Sequence, residues 1–342
     1  MAYRHKRLGY LAAAGVMLLP LLLLTLASGA VPLSLLQLFQ GMTATDADTV
    51  DLVLWQIRIP RMTGAVLGGI NLAMAGVALQ AVLKNPLASP TTLGISQGAA
   101  FGAALAIMIT GINDPGFYSR HLNLSSGTVV SLSAFAFSLA TTAVIMLMAR
   151  RHAAGRETII LAGVALSSLF MAGLTTLQFF ADETQLAAIV HWTFGDLSRG
   201  TWQQLALLAV VTAATSLYYF YNCFNYNTLL AGDDVSRSLG VHVEQLRLIT
   251  LLTASLATAV TVSIFGILGF VGLVAPHIGR RLVGPDNRLL LPLSALIGVL
   301  LLLVADLLGR QLFASVTLPA GIITSFFGAP VFLLLLFKRG YR

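Results

Sequence analysis

Phe270-Val271-Gly272-Leu273-Val274-Ala275-Pro276-His277-Ile278-Gly279-Arg280-Arg281-Leu282-Val283 is the stretch on which the fold turns. It is short and interrupted by Pro276, whereas a bilayer core about 30 Å thick takes roughly 20 apolar helical residues per crossing. Nine longer apolar stretches lie around it, at about 8–27, 62–83, 92–112, 127–149, 158–180, 201–221, 247–268, 289–308 and 319–337. Whether 270–283 also crosses decides on which side of a membrane the rest of the chain lies.

Lysine and arginine answer that question, because cytoplasmic loops carry their excess. With ten crossings and the N-terminus inside, the inner side holds Arg4, Lys6, Arg7, Lys84, Arg150, Arg151, Arg156, Arg237, Arg247, Arg280, Arg281, Arg288, Lys338, Arg339 and Arg342. The outer side holds Arg58, Arg61, Arg120, Arg199 and Arg310, a division of 15 against 5. Nine crossings would put Arg280, Arg281, Arg288 and the C-terminal basic cluster outside. Ten fit better, with both termini cytoplasmic.

Composition agrees. Of 342 residues 57% are hydrophobic and 10% charged, against about 25% charged in a soluble domain. The mean hydropathy of +0.87 excludes disorder and coiled-coil classes. One cysteine, Cys223, leaves no disulfide framework or cysteine metal cluster within the chain. The net charge of +7 comes from short basic runs between apolar stretches, so nucleic-acid binding is not indicated. Leu8–Ala27 is longer than the roughly 7–15 apolar residues of a signal-peptide core, so it reads as a retained first span. The chain is expected to be an all-α polytopic membrane protein, with 1–342 a single transmembrane domain. Its sizeable extramembrane pieces are an inner loop, 222–246, and an outer loop of about 30–60.

Chemistry is sparse. The P-loop pattern, HExxH and GxSxG are all missing. Of 13 acidic residues, Asp306 alone falls within a predicted span. An intramembrane carboxylate can mark an ion pathway, but Asp306 and Arg310 stand at i, i+4 and can pair on one helix face. His277 beside Pro276 has no second His or Cys at ligand spacing, so no metal site is expected. Gly64, Gly68, Ala73 and Gly76 form a stripe that lets a neighbouring helix approach. Asn85-Pro86 stops that helix.

Three blocks carry a resemblance. The first is Arg58-Ile59-Pro60-Arg61, Gly64, Gly68, Gly69, Gly76, Gln80, Asn85-Pro86-Leu87-Ala88-Ser89-Pro90 and Leu93-Gly94-Ile95-Ser96-Gln97-Gly98-Ala99. The second is Gly232-Asp233-Asp234-Val235-Ser236-Arg237-Ser238-Leu239-Gly240-Val241 with Arg247. The third runs from Gly266 through Pro276, His277 and Arg280 to Asp306, Arg310, Pro319, Gly321 and Gly328-Ala329-Pro330. Across about residues 55–337 the chain resembles the FecCD/BtuC-type permease family of bacterial ABC importers for ferric siderophores, haem and cobalamin.

The resemblance implies a cobalamin-importer-like permease fold in the inner membrane. It implies pairing with a second permease protomer, identical or paralogous, and with two ATPase subunits inside. Outside, it implies a periplasmic or lipid-anchored substrate-binding protein. This subunit is then no enzyme and binds no cofactor, and ATP is used by the partner. The second block becomes an ATPase-coupling helix (Gly232, Asp233, Ser236, Arg237, Leu239, Gly240, Val241), a solvated loop being the alternative. Arg58, Arg61 and Arg310 become docking residues for acidic groups of the binding protein, for which Arg's planar fork is suited. Pro276 and His277 become a helix break near the inner gate. Ser236 stands where relatives commonly have Ala, Asp196 where they have Ser, and Thr317 where they often have an acidic residue. An iron–siderophore complex is the expected substrate. Haem, cobalamin and, in another class, ion-coupled carriage through Asp306 are the alternatives.

Overall fold

The computed structural model describes residues 2–29, 52–110, 126–150, 156–312 and 316–337. These residues form thirteen α-helices: α1 (Ala2–Ala27), α2 (Ile59–Val82), α3 (Ile95–Thr110), α4 (Ser126–Arg150), α5 (Arg156–Phe180), α6 (Glu183–Thr193), α7 (Trp202–Tyr221), α8 (Cys223–Leu229), α9 (Asp233–Ser238), α10 (Val243–Phe265), α11 (Val271–Val283), α12 (Asn287–Gln311) and α13 (Ala320–Phe337). A π-helical turn, Val53–Arg58, leads into α2, and a 3₁₀ turn, Leu197–Arg199, precedes α7. The cytoplasmic calls at Arg151, Lys338, Arg339 and Arg342, the outer Arg120 and most of the outer loop of 30–60 lie outside the described residues.

Seven helices are long and apolar enough to cross a membrane outright, and α3 and α13 are shorter apolar helices. The tenth crossing follows from what its ends touch. At the end of α10 the Phe265 carbonyl accepts from the Asp196 amide at 2.7 Å, in the loop between α6 and α7. At the start of α12 the Asn287 amide donates to Asn227 Oδ1 at 2.8 Å, in α8 on the opposite side. Residues 266–286 therefore return across the membrane. Helix α11 spans about 20 Å at 1.5 Å per residue, and the non-helical Gly266–Phe270 supplies the remaining length.

Pro276 does not break this helix, which runs unbroken from Val271 to Val283. The break lies earlier, where Gly266 (φ 80°) and Phe270 (φ 64°) adopt left-handed backbone. Pro276 acts differently: it has no N–H to offer the carbonyl of Gly272, four residues before it. That carbonyl faces α2 so closely that a Cβ on Gly76 would lie 1.8 Å from it.

Helix α2 is the hub, packed against α7, α10, α11 and α12. Its glycine stripe serves a different neighbour at each step. Gly64 faces the Phe265 ring, Gly68 faces Thr261 and Leu302, Gly69 meets the backbone of Gly298 and Val299, and Gly76 meets Gly272. Near the middle of α2, buried Asn71 donates to Thr261 Oγ1 at 3.3 Å and accepts from Thr215 Oγ1 at 3.3 Å. This ties α2, α7 and α10 together where no water can satisfy an amide. Helices α1, α4, α5 and α7 lie towards the outside of the bundle and expose apolar side chains such as Met17, Leu169, Phe179 and Leu217.

Gly76→Ala is expected to lower the thermal midpoint in detergent by an amount equivalent to about 1–3 kcal/mol, the usual range for overpacking. Gly68→Ala would place its methyl 3.5 Å from Thr261 Cγ2, an ordinary contact, and is expected to be neutral or stabilising. Equal midpoints for the two variants, by intrinsic tryptophan fluorescence, would show that backbone contact does not limit packing here.

Candidate functional site

On the inner side the second sequence block forms a short surface helix. Gly232 (φ 127°) and Gly240 (φ 84°) bracket α9, each with open space around its Cα. Left-handed backbone, not crowding, is what demands glycine there. Ser236 is buried, its hydroxyl bonding back to the Gly232 carbonyl at 2.7 Å. Val235 and Leu239 point outward, 44% and 65% exposed, and Leu230, just before the helix, is 57% exposed. The result is an apolar patch of a kind that marks a protein interaction surface. Arg237 spans from Asp234 to Glu244 in solvent. Val241 follows Gly240 and donates its amide to the Ser236 carbonyl at 3.0 Å.

Asp233 is placed differently from its neighbours. Its carboxylate faces inward, 2.8 Å from Lys84 Nζ and 3.2 Å from Arg247 Nη2. Lys84 adopts left-handed backbone (φ 48°) after the last turn of α2, and Arg247 lies in the first turns of α10. Helix α8 is pinned to the α11–α12 corner by Asn227, which donates to Asp286 and accepts from Asn287, each at 2.8 Å. Hydrogen bonds from Arg288 above all, and from Asn227, pull the Asp286 carboxyl down to about 2 against the opposing effect of burial. It is thus ionised wherever the protein is folded near neutrality, and its contribution to stability is lost as pH falls from the ordinary carboxylate range towards 2.

On the outer side the three arginines of the expected docking set converge below the surface. Asp306, 2% exposed, pairs with Arg310 at 3.0 Å on its own helix and with Arg61 Nε of α2. Arg61 also faces Asp196 at 3.7 Å. Arg310 donates to the carbonyls of Thr25 and Ser28 at 3.1 and 2.8 Å, and Arg58 to that of Ala27 at 3.1 Å, so both close off the C-terminus of α1. Basic groups belong at such an end, where carbonyls lack helical partners. Arg58 and Arg61 are 5% and 9% exposed. The chain's own carboxylates and carbonyls engage these three guanidinia. The i, i+4 pairing of Asp306 with Arg310 is present, and Arg61 joins it from 245 positions away.

Around this cluster the outer face is a backbone junction. The Gly321 amide donates to the Gly195 carbonyl at 2.8 Å, and a Cβ on Gly195, Gly266 or Gly321 would lie within 2.4 Å of a carbonyl oxygen across the junction. Asp196, the residue that departs from the family pattern, caps the 3₁₀ turn through the Ser198 amide at 2.9 Å. Burial works against its charge. Ser198, Arg61 and Arg199 nevertheless hold it below the usual carboxylate range. Arg199 in turn donates to the His191 carbonyl at 2.7 Å and closes off α6, a helix the sequence did not disclose.

His277 is buried within α11 beside Pro276, its ring edge-on to Phe332 of α13 at 5.5 Å between centroids. Arg280, one turn on, donates to Gln80 Oε1 of α2 at 3.0 Å. These residues hold α11 between α2 and α13.

The FecCD transport family model matches residues 17–338. The chain belongs to the FecCD transport family. It is 45% identical over 96% of its length, and 95% of the relative's, to an ABC transporter permease protein of Methanocaldococcus jannaschii. It is 35% identical to the hemin transport system permease protein of Yersinia pestis, over 95% of each. Further relatives are named for siderophore, iron(III)-citrate and vitamin B12 import. A solved metal-chelate type ABC transporter in an inward-facing conformation superposes with a TM-score of 0.82 at 30% identity, covering 96% of this chain and 98% of that one. As a FecCD permease the chain is a multi-pass protein of the cell membrane and a transport component.

Asp306→Asn leaves Arg61 and Arg310 buried without their shared carboxylate. The expected loss is about 3–5 kcal/mol, as for other broken buried pairs, read as a lowered thermal midpoint in detergent. A variant as stable as the parent would show that the cluster does not hold the outer ends of α2 and α12 together.

Proposed function

We propose that this permease carries an iron–siderophore complex, delivered by a binding protein outside and driven by ATP hydrolysis in two separate subunits inside. The observation that carries the reading is α9: a short helix between two glycine joints, presenting Val235 and Leu239 on the side that the basic loops assign to the cytoplasm. A permease with no phosphate-cradling loop needs such a surface to receive work from an ATPase. Substrate choice is supported by relatives named for siderophore and iron(III)-citrate transport, while haem and cobalamin, for which other relatives are named, are the competitors.

In this reading the chain pairs with a second permease, identical or paralogous, and forms no covalent bond with its cargo. It holds no cofactor or metal. A binding protein rests on the outer junction around Gly195, Gly266 and Gly321, which Arg61, Arg310 and Asp306 support from beneath. Pro276 and His277 lie on a helix that shifts with the gate. Ion coupling through Asp306 is disfavoured, since two arginines already neutralise that carboxylate.

Purification from native membranes in mild detergent, after crosslinking, should recover a stoichiometric ATPase. Leu239→Asp should reduce that recovery tenfold or more without altering the thermal midpoint. Recovery of the chain alone would overturn the importer assignment. In proteoliposomes of the complex with its binding protein, ATP-dependent uptake of a ferric siderophore should exceed that of hemin and cobalamin. Preference for either of those would replace the substrate.

A further inference from the structure

Helix α9 has six residues and a swivel at each end. Gly232 and Gly240 both adopt backbone that other residues resist, and neither has a neighbour within 4 Å of where a Cβ would be. Buried Ser236 and contacts with α8 and α10 seat this helix, but none of these reaches α2 directly. A direct tie from α9 to α2 has to come from a side chain.

Two sets of charges reach from α9. Arg237 joins Asp234 and Glu244, but these side chains are 50%, 99% and 63% exposed, and solvent leaves such pairs worth little. Asp233 with Lys84 and Arg247 is another matter, at 17%, 23% and 15% exposed. Shielded pairs are screened far less by salt. Two cations converge on one carboxylate from two different spans, and Arg247 Nε also donates to the Val82 carbonyl at 3.4 Å, closing the triangle between α2 and α10. Lys84 is placed for this by its left-handed backbone, which turns the chain back immediately after Leu83 ends α2.

We propose that Asp233 is the positioning residue through which displacement of α9 reaches the inner ends of α2 and α10 together. The inference rests on α9 being the surface an ATPase engages. Helix α2 is a rigid element about 36 Å long whose opposite end carries Arg61 in the outer cluster. A push on α9 therefore acts on the hub of the bundle rather than on a loop. Leu239 and Val235 receive the partner, and Asp233 passes the movement on.

The test uses the permease with its co-purified ATPase, Cys223 replaced by Ser, and spin labels at cysteines substituted for Leu87, just past α2, and Thr158, at the inner end of α5. On adding ATP with vanadate the Leu87–Thr158 distance is expected to change in the parent. In Asp233→Asn and in Lys84→Met that change should be lost, while ATPase recovery stays within twofold of the parent. Asp233→Glu should restore it. A distance change that persists in either variant overturns the inference, as does a parent that shows none or a Glu variant that fails to recover. Loss of ATPase recovery in Asp233→Asn would make Asp233 a contact residue instead. If Asp233→Asn does not fold, Lys84→Met, which removes only the tie to α2, decides alone. Leu239→Asp separates the two readings: ATPase recovery that survives it overturns the docking role of α9, whatever Asp233 does.

Discussion

Backbone meets backbone at two points along α2, Gly69 against Gly298 and Gly76 against Gly272, and the bundle is organised around those contacts. Between helices in a bilayer there is no hydrophobic gain to be had, because lipid tails are as apolar as leucine. Association then depends on how closely surfaces fit. Glycines on both partners bring α2, α11 and α12 near enough for Cα–H groups to lie against carbonyl oxygens. Pro276 contributes by leaving the Gly272 carbonyl without its helical donor, so that it is available to face α2.

Polar groups are concentrated at the two ends of this hub and at one level between them. Outside, Asp306 gathers Arg61 and Arg310, while Arg58 and Arg310 cap α1. Inside, Asp233 gathers Lys84 and Arg247. Between them Asn71 joins Thr215 and Thr261. Each group satisfies charges or amides that would be expensive to leave unpaired near lipid. Each also joins α2 to helices that lie apart from it in sequence.

Much of the architecture was legible in the residues. Apolar lengths located nine crossings, and the basic residues after 279 required the tenth, because charge asymmetry reports on sidedness even where hydropathy is weak. Gly64, Gly68 and Gly76 announced a close helix neighbour, and Gly232 and Gly240 bracketed α9. The site was less legible. Arg58, Arg61 and Arg310 stood out as exceptions to the positive-inside bias; Arg58 and Arg61 are buried, and Arg310 is engaged by Asp306 and by the end of α1. Their partners are backbone carbonyls, which no residue type signals, and a carboxylate some 245 positions from Arg61. Pro276 looked like a helix break and is not one: in the interior of α11 it forfeits the hydrogen bond to the Gly272 carbonyl, which faces α2 instead. Asn227 and Asn287 carried no signal, and Lys84 signalled only the inner side, not its partner.

Composition, span length and charge placement by themselves determined that this chain crosses a membrane about ten times, with which loops inside, because partition between water and lipid is a local property of each segment. The blocks around Arg58, Gly232 and Gly266 determined its family. Only the tertiary structure decided which charges meet. Whether an arginine awaits a partner or holds its own bundle together depends on what the packing of other helices brings within 3 or 4 Å, and that packing is a property of the whole chain.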